Sequence, residues 1–417
     1  MAKSSKKLGK LNIELDNKIY SQPSEGALNP NYYIKAKMRD DTWHLAKIVD
    51  CRPVRDLDLK KKKNDYSYEY YVHYQDFNRR NDEWVGRARI MPLEMLIEEE
   101  HHKKKRKGEE KEKKHENNVD DEHQGMDAAD LLAHEQATKL KTIDYIQMGK
   151  HKCETWYFSP YPKGCQNIDT LFICEFCLSF YVSKEELIRH SKICTLTHPP
   201  GDEIYRFGNN SMYEIDGQRN QTYCENLGYL AKLFLDHKTL YFDVKPFLYF
   251  VLTENDEHGS HMVGYFSKEK DSPEYNLACI LTLPFHQRKG YGKLLITFSY
   301  ELSFIEKKVG TPERPLSDLG RESYISWWTQ RIIEYIKKHP GESYSIQDIT
   351  DETMVHGDDI VYILEKFNLI KYTPSGYYLC TDMAILDKLF KGAGRPGREC
   401  SREKIIWVPY HVKNETT

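Results

Sequence analysis

The chain has 417 residues, long for one domain, with 39% hydrophobic and 30% charged residues, so two or three domains with real cores are expected. Its formal net charge of −3 excludes a global field for nucleic acid, and any such attraction must be local. Ten cysteines are too few and too scattered for a secreted disulfide scaffold; no apolar stretch follows the opening MAKSSKKLGK, and no run of about 18 apolar residues occurs, so neither a secretory leader nor a membrane span is expected.

Residues 1–29 are polar and read as a disordered tail. Residues 30–97 alternate apolar and polar in short runs. YYIKAKM, TWHLAKIVDC, YEYYVHYQ and EWVGRARIMP read as strands of a small β-barrel or sheet. Lys60–Lys63 would sit in a hairpin loop or insertion, as phosphate contacts or as solvated charge. Tyr71, Tyr74, Phe77 and Trp84 lie close in sequence. Such a group suits either a methylammonium cage or a barrel core. Residues 98–125 hold almost nothing apolar and read as a charged linker. Within it, Lys103–Lys107 has the density of a nuclear import signal, or simply solubilises a spacer. Residues 126–410 are globular in composition. AADLLAHEQATKLKTIDYI predicts a helix leading into a strand, and LIKYTPSGYYL a hairpin near the end.

A Cys/His-rich stretch spans about 151–200. Cys174 and Cys177 are separated by two residues, His190 follows after twelve more, and Cys194 comes four positions later. Two thiolates on a tight turn, with a His and a Cys at helical spacing, form a tetrahedral set suited to Zn²⁺. SKEELIRHSK is helical in pattern, which puts His190 and Cys194 on one face. Four protein ligands leave no open position, so the metal is expected to be structural. A DNA-reading finger is the weaker alternative, because the helix carries few outward basic residues.

YNLACILTLPFHQRKGYGKLLITFSYELS is the most informative stretch. NLACILTL reads as a buried strand ended by Pro284. Gln287–Gly292 then opens a helix with Leu294, Leu295, Phe298 and Leu302 on its apolar face. A glycine-bearing turn at a helix N-terminus aims free N–H groups at an anion. Gly290 and Gly292 allow close approach, and Arg288 and Lys293 add charge. The Lys-Ser/Thr pair that would hold Mg²⁺ and a γ-phosphate is missing, so a metal-free pyrophosphate, as in coenzyme A, fits better.

With these motifs in view, the chain resembles the MYST family of histone acetyltransferases, in its chromo-barrel-bearing branch. CEFCLSFYVSKEELIRH…C…THPPGDEIYR is similar to the family's zinc module. LFLDHKTLYFDV, NLACILTLP, QRKGYGKLL and TPERPLSDLG resemble its acetyl-CoA core, and YYVHYQDFNRRNDEWV its N-terminal chromo barrel. The resemblance implies an α+β fold: a chromo-barrel or tudor-knot-like domain, a zinc module, an acetyl-CoA core over about 201–320, and a winged-helix-like segment over about 321–390.

The activity so implied is acetyl transfer from acetyl-CoA to lysine amines on histone tails and nucleosomes. The resemblance gives Glu313 as general base, with a pKa expected to rise through burial. It places Cys279 at the thioester, with a covalent acyl-cysteine and direct attack both open. Ile280, Leu281 and Thr282 would pair with the pantetheine arm through their backbone. Gln287, Arg288, Lys289, Gly290, Tyr291, Gly292 and Lys293 would hold the pyrophosphate, and Ser317 and Ser326 would touch the cofactor. Lys238 matches the lysine that the family acetylates on itself. The family context further implies nuclear localisation, a multi-subunit chromatin complex, and weak nucleic-acid contact through the N-terminal barrel. The two aspartates opening the second winged-helix-like helix would repel phosphates, so that segment reads as a scaffold beside the substrate groove.

Overall fold

The computed structural model describes residues 28, 30, 32–54 and 68–92, and residues 140–410 apart from 237, 239–242, 273 and 375. The polar tail, the Lys60–Lys63 loop, the charged linker with Lys103–Lys107, and nearly all of the helix expected from residue 128 lie outside those residues. The chain divides into two compact units.

The first unit is built on β1 (Tyr33–Lys37), β2 (Trp43–Pro53), β3 (Tyr68–Tyr74), β4 (Glu83–Gly86) and β5 (Ile90–Pro92). They form an antiparallel sheet in the order β4-β3-β2-β1-β5. Period-2 alternation sends Ile34, Ala36, Ala46, Ile48, Tyr70, Val72, Tyr74 and Val85 into one core. Register follows from that core: Ile34 pairs with Ala46, and Ile48 with Val72. A slip of one residue would turn each of these outward. EWVGRARIMP is two strands rather than one, because a 3-10 turn at Arg87–Arg89 divides β4 from β5. The buried Glu83 carboxylate accepts from the Tyr74 hydroxyl at 3.1 Å, Arg39 Nε at 3.0 Å and Arg89 Nη1 at 3.1 Å. Those donors offset its desolvation.

The second unit opens with β6 (Ile143–Met148), β7 (His151–Glu154), β8 (Ile168–Ile173) and β9 (Phe180–Tyr181), in the order β7-β6-β8-β9, followed by helix α1 (Lys184–Ser191). Next come β10 (Asp202–Phe207), β11 (Asn210–Asp216), helix α2 (Gln221–Lys232), and the long hairpin β12 (Phe247–Asp256) and β13 (Gly259–Glu269). Short strands β14 (Tyr275–Leu277) and β15 (Ile280–Thr282) precede helix α3 (Tyr291–Glu306), strand β16 (Thr311–Pro312) and helix α4 (Asp318–Lys338). Helices α5 (Ile346–Thr353) and α6 (Gly357–Lys366), hairpin β17 (Ile370–Thr373) and β18 (Gly376–Leu379), and helix α7 (Met383–Gly392) complete it.

The central sheet runs β10-β11-β12-β13-β15, all antiparallel. Leu294, Leu295, Phe298 and Leu302 of α3 pack on it beside Leu248, Phe250, Val263 and Phe266. Each such side chain stabilises the fold by roughly 1.5–3 kcal/mol when fully buried. A second core gathers α4, α5 and α6 around Trp327, Trp328, Ile349 and Ile363. Tyr300 joins the two: its ring stacks on Trp327 at 4.4 Å and its hydroxyl accepts from Trp328 Nε1 at 2.9 Å. No helix among the described residues is long and apolar enough to cross a membrane.

Candidate functional site

The zinc-type cluster is assembled as its spacing predicts. The ligand atoms of Cys174, Cys177, His190 and Cys194 all lie within 4.8 Å of one another. Cys174 and Cys177 sit on the turn between β8 and β9, where the Leu178 amide donates to Cys174 O at 3.0 Å. Helix α1 is set by a capping box in which the Ser183 and Glu186 side chains satisfy each other's backbone amides. The helix ends at Ser191, so Cys194 is not on it. The following turn still delivers the thiol, because the Cys194 amide donates to His190 O at 2.9 Å. A hydrogen bond from Cys174 holds the Cys177 pKa well below that of an ordinary thiol. Three sulfurs and one imidazole converging in this way fit a closed zinc site. His190 Nε2 is 3.2 Å from Cys177 Sγ.

The predicted buried strand NLACILTL is in fact broken. β14 pairs in parallel with β16, whereas β15 pairs with β13. Ala278 and Cys279 form the switch between the two pairings. Ser267 holds it: its backbone oxygen accepts from Ala278 N at 2.7 Å, its amide donates to Cys279 O at 2.8 Å, and its hydroxyl accepts from Cys279 N at 3.1 Å. The break turns the Cys279 side chain to a half-buried position. Lys238 Nζ stands 3.8 Å from Cys279 Sγ, and the lysine is only 8% exposed.

β16 carries Glu313 to the same place. The Glu313 amide donates to Leu277 O at 2.8 Å, two residues before Cys279. The expectation of a buried base is not met, since Glu313 is exposed. It follows the short strand β16, whose backbone is paired with β14. Ile280, Leu281 and Thr282 form the edge strand of the central sheet, and Gln287 Nε2 donates to Thr282 O at 3.1 Å on its outer side. Gly264, opposite Thr282, allows this close pairing, because a Cβ there would meet Leu281 O at 2.5 Å.

The turn ahead of α3 has the geometry of an anion site. Arg288 and Gly290 adopt left-handed backbone at φ 62° and 88°, and Gly290 caps the helix without a side-chain bond. The first-turn amides therefore face outward at the positive end of the helix dipole. Arg288 and Lys289 are exposed, Gly292 is half-buried and Tyr291 is buried. The neighbouring His286 is buried, and its pKa is lowered to about 4 by burial and then by Lys289. It is a neutral ring at this turn.

Lys293 does not project toward the turn's mouth. Its Nζ donates to Gln330 Oε1 at 3.0 Å, Ala393 O at 3.3 Å and Arg395 O at 2.7 Å. The last two acceptors belong to a strap over 393–398 that none of the motifs above marks as part of the site. Arg398 Nε donates to Lys289 O at 3.1 Å, and its guanidinium covers the Tyr291 ring at 4.1 Å. The Gly/Pro/Arg run GAGRPGRE was the available signal. Ser326 also bonds to Ala393 O rather than facing the turn. Ser317 caps α4, accepting from Gly320 N at 3.1 Å.

Two further expectations change. Tyr74 faces the core of the first unit, whereas the Tyr71 and Trp84 rings pair at 5.4 Å with the Arg52 guanidinium 4.0 Å over Trp84. The four aromatics therefore do not converge on one cage, because odd and even positions of β3 face opposite ways. Of the two aspartates opening α6, only Asp358 is a surface charge, while Asp359 is 2% exposed.

A sheet-edge strand beside a helix N-terminus with the geometry of an anion site, with Cys279 at the strand break and the Glu313 backbone paired next to it, suits an acyl-CoA-dependent acyltransferase. A model of the MOZ/SAS family matches residues 198–405, one of the MYST zinc finger domain matches 140–194, and one described as the RNA binding activity-knot of a chromodomain matches 28–92. The chain is 50% identical over 384 residues to histone acetyltransferase of the MYST family 2 from Arabidopsis thaliana, covering 90% of this chain and 84% of that protein. It is 50% identical over 274 residues to histone acetyltransferase ESA1 from Mycosarcoma maydis, covering 66% and 48%, and 51% identical over 247 residues to the Tip60 homolog of Caenorhabditis elegans, covering 58% and 54%. The chain belongs to the MYST family of histone acetyltransferases. It uses acetyl-CoA, and its Cys/His cluster holds a structural zinc.

Proposed function

We propose that this acetyltransferase modifies lysine ε-amines of histone tails in nucleosomes, with Glu313 as general base. The observation that carries this reading is the meeting of Cys279, Lys238 and the Glu313 backbone at the β14–β15 break. A lysine amine has a pKa of about 10.4 in water and is mostly protonated at neutral pH. Glu313 takes that proton as the amine nitrogen bonds to the thioester carbonyl carbon. The carbon–sulfur bond then breaks, and coenzyme A leaves as a thiolate that is reprotonated. Cys279 lies at the thioester; whether it first accepts the acetyl group is a question for the Cys279→Ala variant.

Pantetheine runs along Ile280–Thr282 and the pyrophosphate meets Gln287–Gly292. Lys293, Ser317 and Ser326 serve the cofactor by shaping this wall. The second reading, self-acetylation at Lys238, is favoured by its 3.8 Å approach to Cys279. We assign residues 30–97 to chromatin or nucleic-acid contact, 98–125 to a linker with a nuclear import segment, and 126–410 to catalysis. Within the last we place the zinc module at about 151–200, the acetyl-CoA core at about 201–320 and the winged-helix-like segment at about 321–390. Action in the nucleus within a multi-subunit complex completes the proposal.

Labelled acetyl-CoA and core histones test it. Glu313→Gln is expected to lower lysine labelling at pH 7 by about 10²–10⁴-fold, the usual contribution of a positioned base. Unchanged labelling would remove Glu313 from the role.

A further inference from the structure

The loop bearing Glu313 is held from a direction that the catalytic strands do not explain. Gly310 N donates to Met354 O at 3.1 Å, and Gly310 forms a parallel bridge with Val355. Those residues connect α5 to α6. One turn further, in the first turn of α6, Asp359 points into the protein. Thr311 Oγ1 donates to Asp359 Oδ2 at 2.7 Å, and Arg314 Nη2 donates to Asp359 Oδ1 at 2.6 Å. The two oxygens of one carboxylate thus grip the residues two before and one after Glu313.

We infer that Asp359 is a positioning residue of the acetyl-transfer site: it fixes the chain on both sides of Glu313 and keeps the Arg314 cation off the Glu313 carboxylate. The inference deepens the reading of Glu313 as the base and rests on it in part. A guanidinium next to a carboxylate favours the ionised carboxylate and weakens it as a base. Arg314 is directly beside Glu313 in the chain, and its side chain is 57% exposed and held by its ion pair with Asp359. The pairing partner is almost fully buried and sits at a helix N-terminus, where a negative charge is favoured. Burial raises the Asp359 pKa, and the bonds from Thr311 and Arg314 oppose that rise. The other groups that face it are His356 from its own helix end, Tyr300 from α3 and Tyr324 from α4. Neither tyrosine brings a charge at neutral pH. Arg314 is therefore the cation whose position Asp359 decides.

Asp359→Asn keeps the side-chain shape and removes the charge. In the full chain, we expect amide exchange across 311–314 to speed up by about tenfold or more while exchange in α3 and β12 stays as in the wild type. We expect kcat on a histone-tail peptide to fall by about ten- to a hundredfold, as for a misplaced catalytic group. We also expect the acid limb of the kcat/KM profile to move down by about one pH unit as the freed Arg314 lowers the base's pKa. Adding Arg314→Gln should return the acid limb to the wild-type position without restoring loop protection. Unchanged exchange across 311–314 in folded Asp359→Asn overturns the positioning role. An acid limb that does not move, or does not return in the double variant, overturns the control of Arg314. Failure of the base assignment reads out separately, as undiminished turnover in Glu313→Gln.

Discussion

Single residues carry unequal weight at this site. Gly290 is one of two turn residues in left-handed backbone, and a Cβ there would also come within 3.3 Å of Arg398 N. Gly290→Ala is therefore expected to cost about 1–2 kcal/mol and to raise the KM for acetyl-CoA more than it lowers kcat, measured by steady-state titration. His286 gives a pH-dependent signature. Its pKa is pushed down to about 4 by burial, below the value near 6.5 of an unfolded histidine. Its contribution to stability is complete above about 6.5 and is lost as pH falls toward about 4, because the unfolded chain takes up the proton first. Denaturant titrations across that window should show stability falling with pH, and His286→Gln should flatten the slope. A slope unchanged in the variant would place the proton uptake elsewhere.

Among elements, the outer part of the zinc module has little core of its own, although Phe180 packs against Tyr161 and Tyr229. Helix α1 buries no residue of its own, and β9 has two residues. Its order depends on its capping box and on the metal. Removal of zinc with a chelator, or Cys174→Ser, should abolish exchange protection in β9 and α1 while leaving α3 protected. Protection of β9 that survives full metal loss would contradict this. The elements also show what a sequence discloses. Helix α3, α1 and the β17–β18 hairpin were legible because each has a clear period or turn residue. The four metal ligands were legible because their spacing is local. The break at Ala278–Cys279 was not: ACILTL is apolar but for Thr282, which lies past the break, and the switch of partner is set by Ser267 on another strand. The exposure of Glu313 and the inward turn of Asp359 were hidden for the same reason. Both depend on pairings across 36 and 48 residues of chain, from Leu277 to Glu313 and from Thr311 to Asp359.

At the scale of the whole molecule, each unit has its own core, one around Ile34, Val72 and Tyr74 and the others around α3 and α4. A fragment beginning at residue 140 should therefore fold and acetylate a free histone-tail peptide at close to the full chain's rate. On nucleosomes it should fall behind the full chain, with the gap closing as salt rises and screens contacts to phosphate. Equal rates on nucleosomes at low salt would remove the N-terminal unit from substrate engagement. In the sequence, alternation ends and charge density rises near residue 98, which is where we draw the end of the first domain. The strap of 393–398 is harder to read from sequence, because the acceptors of Lys293 are the backbone oxygens of Ala393 and Arg395, and only Arg398 works through its side chain.

Those oxygens have a consequence for synthesis. The helix that opens at Tyr291 is made early, but the carbonyls of Ala393 and Arg395 that steady Lys293 come about a hundred positions later, at separations of 100 and 102 residues. Until they emerge from the ribosome, Lys293 lacks two of its three acceptors, Gln330 being the one already made. A chain truncated before residue 393 is therefore expected to show a raised KM for acetyl-CoA in steady-state titration, and an unchanged KM would remove the strap from cofactor binding.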